Sequence, residues 1–304
     1  MKCFKIISPN NGGINYLHIL KDGRLVVCFE SGILNIYNPK DNYSLEISIQ
    51  IHRKDISNII ELSNSNLVTS SWDSTLKIIE INQEKYKILQ SLEGHESYID
   101  KVINPYENFL ISISEDQFFK TWEKDLNTNK YNCTNTIRFQ EIFSYCNILK
   151  IKNNEFITSS VSEKKIKFWN LENLKEIKTI ENISTNWSSQ NMILINEKLL
   201  MIGGSNFEGF YLINIITRQL MLIIKGPSRI YSIIKSMDDN FICGLSNQNG
   251  IPSIQIFKYY ADNINIIYEE KNAHNDRIFS VVQFDNGIIA SASEDTVIKL
   301  WSQI

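Results

Sequence analysis

The chain has 304 residues, 43% of them hydrophobic and 21% charged, with a formal net charge of −3. That balance fits a globular protein with a sizeable core, and its dispersed charges argue against a dominant surface for nucleic acid or anionic lipid. No apolar run is long enough to cross a membrane as a helix, residues 1–20 lack a signal-peptide core, and the five cysteines show no C-x-x-C spacing. Neither a metal site nor a disulfide framework is expected, and a reducing cytoplasmic compartment is the default.

In chain order, residues 1–7 (MKCFKII) predict a short strand standing alone. Asn10 opens a unit ending at Tyr37, with Val27 and Ser31 between. The next unit carries polar residues at the corresponding places: His52, Thr69 seventeen residues later, Asp73 four after that, and Ile79 six further on. The same ladder recurs as His95, Ser112, Asp116 and Trp122, and again as His274, Ser291, Asp295 and Trp301. In a fourth unit Ser159 and Trp169 keep the pattern, with Ile142 and Glu163 in the other two places. A fifth runs from Asn186 to about Ile213 with Gly203 at the hydroxyl place, and a sixth from near Gly226 to Phe257.

Each unit reads as three short strands separated by turns. HNDRIFSVVQFDNGIIASASEDTVIKLW gives IFSVVQF, the turn signal Asp285-Asn286-Gly287, IIASAS, a tight turn at Glu294-Asp295, and TVIKLW. Runs such as YKILQSLE and EIKTIEN supply a fourth strand between units. The closing residues of the third strands recur every 42 to 47 residues, the period of propeller blades. The expected fold is therefore all-β: a seven-bladed β-propeller of four-stranded antiparallel blades, formed by residues 1–304 as one domain. Only three residues follow Trp301, so the N-terminal strand is expected to complete the last blade and close the ring.

These repeats resemble the WD-repeat family of seven-bladed propellers over essentially the whole chain. The resemblance implies a buried tetrad in a blade: indole N–H to hydroxyl, hydroxyl to imidazole, imidazole to carboxylate. Full sets would be His95, Ser112, Asp116, Trp122 and His274, Ser291, Asp295, Trp301, with His52, Thr69 and Asp73 a partial one. The eponymous Trp-Asp pair is missing after the third strands, and Trp72-Asp73 lies in a turn instead. His, Ser and Asp together imitate a hydrolase triad. A catalytic site is used once, however, and this set is repeated, so no catalytic residue is assigned. No phosphate-binding glycine motif or H-E-x-x-H is present.

The resemblance also implies a binding face at the narrower end of the channel. The residues facing it would stand three and five places after the tetrad His and directly before the tetrad Asp. Here those are Asp55, Ser57 and Trp72; Tyr98, Asp100 and Glu115; and Arg277, Phe279 and Glu294. The fourth unit adds Tyr145 and Asn147, and the sixth Arg229 and Tyr231. Aromatic and Arg side chains in exposed positions are typical interface anchors, and Trp72, in a tight turn, is foremost among them. The expected function is a non-catalytic scaffold or adaptor holding a protein or peptide in a larger complex. No cofactor, nucleic acid, membrane or small molecule is implicated. The alternative is an enzyme or ligand-regulated propeller using the channel mouth, which a buried cluster of charged residues in the channel would favour.

Overall fold

The structure, a computed structural model, describes residues 1–82, 85–139, 146–152, 154–183, 191–204, 209–224, 228–247, 249–260 and 263–302. Seven four-stranded antiparallel sheets form a ring. Blade 1 occupies residues 14–50, blade 2 56–92, blade 3 99–138, blade 4 146–181, blade 5 192–224 and blade 6 228–271. Blade 7 takes three strands from 278–302, and its fourth is the strand Lys2–Ile7, which pairs antiparallel with Ile298–Ser302. The two ends of the chain thereby close one sheet.

Sequence sets the character of each layer. Second and third strands are sandwiched between neighbouring blades, and Leu67–Ser71, Phe109–Ser114 and Ile289–Ser293 are buried at every position. They are accordingly apolar or small and β-branched. Outer strands keep one face in water, and Gln219–Ile224 alternates exposed and half-buried residues. The first strands of successive blades contact one another around the ring and enclose its axis.

The core lies in the seams between blades rather than inside any sheet. Each hydrophobic cluster joins two consecutive blades: Val26, Leu34 and Ile36 of blade 1 meet Ile56, Ile59 and Ile79 of blade 2. Phe119 of blade 3 meets Phe156 and Trp169 of blade 4 at centroid distances of 5.5 and 5.2 Å, both edge-on. Each such side chain contributes about 1.5–3 kcal/mol on burial.

The blade 6–7 seam is tight enough to require glycine. A Cβ on Gly244 in blade 6 would lie 2.7 Å from Ile278 Cγ2 and 2.9 Å from the Ile278 carbonyl oxygen of blade 7. Gly244→Ala is expected to cost about 1–3 kcal/mol by overpacking, read from chemical denaturation against wild type. An unchanged midpoint would mean the blade 6–7 seam can open without cost.

Two alignments made from sequence need correction. In blade 4 Trp169 lies opposite Phe156 and donates its indole N–H to Thr158 Oγ1 at 2.9 Å, so Thr158 and not Ser159 fills the hydroxyl place. The turn from Ser160 to Lys165 holds one residue more than its counterpart in blade 3, which displaced a count made back from the Trp. In blade 5 Ile213 lies opposite Leu200, which puts Ile202 at that place instead of Gly203. Blade 6 needs none: Phe257 lies opposite Phe241, which puts Cys243 at the place, seventeen residues after Gly226. Asn186, Ile142 and Gly226 lie outside the described residues.

Candidate functional site

Three blades carry the same buried polar device. In blade 3 the Trp122 indole donates to Ser112 Oγ at 2.9 Å, Ser112 Oγ lies 2.7 Å from His95 Nε2, and His95 Nδ1 lies 2.6 Å from Asp116 Oδ2. Blade 7 repeats it with Trp301, Ser291, His274 and Asp295 at 2.8, 2.7 and 3.0 Å. In blade 2 Thr69 Oγ1 is 2.8 Å from His52 Nε2, and His52 Nδ1 is 3.0 Å from Asp73 Oδ2. Ile79 cannot supply the indole there, and Thr75 adds a hydroxyl that donates to Asp73 at 2.6 Å.

Each Asp is a hub joining two loops. Asp116 also accepts the backbone N–H groups of Glu96 at 3.1 Å and Phe118 at 2.9 Å, and Asp295 those of Asn275 and Val297. A fifth member escaped the sequence reading. Ser71, Ser114 and Ser293 stand two residues before the Asp, accept its N–H, and donate to the carbonyls of Lys54, Ser97 and Asp276 in the loop after the His. They recur at a constant offset, and that repetition was the available signal.

Burial lowers the pKa of His52, His95 and His274 despite the opposing pull of their Asp partners. The imidazoles are therefore neutral at pH 7: Nδ1–H donates to carboxylate and Nε2 accepts the hydroxyl proton. Burial alone would raise Asp295, but bonds from His274 and Asn275 bring it down to about 2, and Asp116 is lowered in the same way. Outside the tetrads, burial brings His18 down to about 4.

Between the ordinary imidazole value and its lowered folded value the unfolded chain binds more protons, so stability falls as pH drops below about 6.5. Below about pH 4 the carboxylates add a further loss in the same direction. Asp100, pushed up to about 8 by burial, opposes this by favouring the protonated fold. Denaturant midpoints are expected to decline from pH 6.5 to 4, and to decline more steeply in Asp100→Asn. A flat or rising profile would remove the neutral-imidazole assignment.

The positions proposed for the binding face divide sharply. Trp72 and Tyr98 meet across the blade 2–3 seam, stacked with centroids 5.0 Å apart and planes 9° from parallel. The exposed Lys54 ammonium lies 4.9 Å from the Tyr98 centroid. Asp55 is half-buried, accepts from Asn15 Nδ2 at 3.3 Å, and binds the Trp72 N–H through its carbonyl at 3.0 Å. Arg277 and Glu294 are exposed and form an ion pair at 3.5 Å, while Glu115 and Arg229 are half-buried. Tyr145 lies outside the described residues.

Asp100, Tyr231 and Phe279 were expected at the surface and are buried instead. All three stand five places after the tetrad position, and the inner strand slips register there: between Ile99 and Lys101, Ile230 and Ser232, and Ile278 and Ser280. The bulge residue turns into the seam. Tyr231 and Phe279 consequently pack edge to face at 5.8 Å, and Asp100 accepts the Cys146 N–H at 2.7 Å. Ser57 is half-buried and bonds to the Ile99 carbonyl, again across a seam.

The next residue along each inner strand reaches into the following blade. Asn58 accepts from Val102 N, Ser232 from Val281 N and Ser280 from Leu17 N. Lys101 donates to Asn147 at 2.7 Å, and Asn147 donates to Asn191 at 3.0 Å. The inner strands thus carry a buried polar belt. Burial brings the Lys101 ammonium down to about 7. Lys101 is the one ionisable member of the belt as described, and it is engaged with Asn147 in fastening blades 3 and 4. Asn147, placed on the face by sequence, belongs to this belt.

Among the described residues no group of three or more His, Cys, Asp or Glu is placed to hold a metal ion. No helix there is long and apolar enough to cross a membrane.

Seven four-stranded blades and a ring closed by the first strand define the class as a seven-bladed β-propeller, and its His–Ser–Asp–Trp networks are similar to those of WD-repeat propellers. Residues 267–302 match the family model for the WD domain, G-beta repeat. A chain of a crystal structure of the mitotic checkpoint complex superposes with a TM-score of 0.81 at 13% identity, over 99% of this chain and 92% of that one. The WD40 beta propeller domain of Doa1 gives 0.77 at 15%, over 100% and 97%. At such identities the likeness is one of fold. No curated protein matches the sequence significantly.

Proposed function

We propose that residues 1–304 act as one domain, a non-catalytic scaffold that holds a protein or peptide on the tetrad-bearing face, as a subunit of a larger cytoplasmic complex. The observation that carries this is the Trp72–Tyr98 stack, two half-buried rings meeting across the blade 2–3 seam and flanked by Lys54 and Asp55. Arg277 and Glu294 extend the same face onto blade 7. Aromatic and Arg side chains of this kind supply most of the binding energy in protein interfaces. The residues that imitate a hydrolase triad are buried and bonded within their blades, which leaves them no substrate to attack. Resemblance in fold to a chain of the mitotic checkpoint complex is compatible with a place in an assembly.

The test is affinity capture from native lysate with wild type beside the triple variant Trp72→Ala, Tyr98→Ala, Arg277→Ala. A partner held by wild type and lost by the folded variant is the expected result. Retention by both would put the contact on the blade edges or the opposite face and defeat this reading.

A further inference from the structure

The residue before the tetrad Asp recurs as glutamate around the channel mouth: Glu30 in blade 1, Glu115 in blade 3 and Glu294 in blade 7, with Trp72 in the same place in blade 2. Glu30 was missed from sequence because blade 1 has Ser31 where the Asp should stand. Its carboxylate lies over Gly13, where an added Cβ would come within 2.4 Å of the carboxyl carbon, so the missing side chain leaves it room there. Asp55 reaches the same region from the loop entering blade 2. Asp55 accepts from Asn15 Nδ2 at 3.3 Å, two residues along from the Gly13 that Glu30 covers, so the two carboxylates neighbour one another across blades 1 and 2. Burial together with the charges of Asp55 and Glu294 raises the Glu30 carboxyl.

This acidic arc runs into the aromatic pair without a break, since Asp55 is bonded to Trp72 through the backbone and Trp72 lies against Tyr98. The pair already holds a cation: the ammonium of Lys54 rests over Tyr98 at 4.9 Å. An aromatic face attracts ammonium and guanidinium groups through its quadrupole. Arg277 already pairs with Glu294 at 3.5 Å, so the face accepts a guanidinium there, and carboxylates beside stacked rings favour a cationic occupant over a phosphate.

Building on the scaffold reading, we infer that this surface docks a basic peptide segment of the partner, an Arg or Lys entering among Glu30, Asp55 and Glu294 while the adjoining chain lies over Trp72 and Tyr98.

The probe is a dye-labelled basic peptide of Arg, Gly and Ser, compared by fluorescence anisotropy with the same peptide carrying Glu for Arg. Wild type is expected to bind the basic form in a salt-sensitive way and to ignore the acidic one. The carboxamide variant Glu30→Gln, Asp55→Asn, Glu294→Gln should bind it roughly tenfold more weakly, as should Trp72→Ala. Because the carboxamide variant also changes net charge, its control is Glu107→Gln, Glu123→Gln, Glu172→Gln, outside the arc, which should bind as wild type does. Equal loss in the control, or wild-type affinity in the carboxamide variant, overturns the inference, as does tighter binding of a labelled oligonucleotide than of the basic peptide. A captured partner lost with the Trp72, Tyr98 and Arg277 triple but kept by the carboxamide variant would leave the scaffold face standing and remove its charge preference.

Discussion

Asp116→Ala is expected to destabilise the protein by on the order of 3 kcal/mol, and Asp295→Ala by a similar amount. The alanine leaves the buried Nδ1–H of His95 without an acceptor, and frees the backbone N–H groups of Glu96 and Phe118. A buried donor left unsatisfied costs about 1–3 kcal/mol, while the two backbone groups sit in surface loops where water recovers part of their loss. Trp122→Phe is the milder comparison: it removes one N–H bond to Ser112 and trims the buried indole to a smaller ring, so a loss of about 2 kcal/mol is expected from the bond and the cavity together. Urea midpoints for the three variants should rank in that order. A melt unchanged by Asp116→Ala would mean that the tetrad carries no stability and that blade 3 stands on its seams alone.

The tetrads were legible in the sequence because their members are separated by strands and turns of constant length. His95 and Ser112 stand in the same relation as His274 and Ser291, so counting was enough. Counting failed where a turn gained a residue. In blade 4 the longer turn between Ser160 and Lys165 moved the hydroxyl from Ser159 to Thr158. It failed in another way at the inner strands. Asp100, Tyr231 and Phe279 have the offset of surface residues, but a bulge at each turns the side chain into the seam. Bulges leave little trace in composition, because the residue type is chosen by the neighbouring blade: aromatic where Tyr231 meets Phe279, carboxyl where Asp100 meets the Cys146 amide. The inter-blade belt was hidden for the same reason, since Asn58, Lys101, Asn147 and Ser232 share a place and a role but no side chain. Glu30 had the opposite fate: its residue type was right and its repeat too degenerate to count from.

Deleting residues 1–7 is expected to produce the largest effect of any change to this chain. The strand Lys2–Ile7 pairs with Ile298–Ser302 along its length and is the outer strand of blade 7. It also ties both adjoining seams. Met1 and Cys3 pack on the cluster shared by blades 6 and 7, Ile7 packs on that of blades 7 and 1, and Lys5 bonds to the Asn42 carbonyl in blade 1. Without it the last strand presents an unpaired edge, the arrangement that invites pairing with another molecule. Each lost backbone hydrogen bond costs about 0.5–1.5 kcal/mol net, and the exposed seam residues add to that. The truncated chain should melt well below wild type and elute as oligomers by size exclusion with light scattering. Adding the synthetic peptide MKCFKII in trans should restore part of the melting temperature and suppress association, because the vacated edge is a template for that strand alone in register. A truncated chain that stayed monomeric with an unshifted melt would show that the remaining six complete blades hold the ring shut without the closing strand.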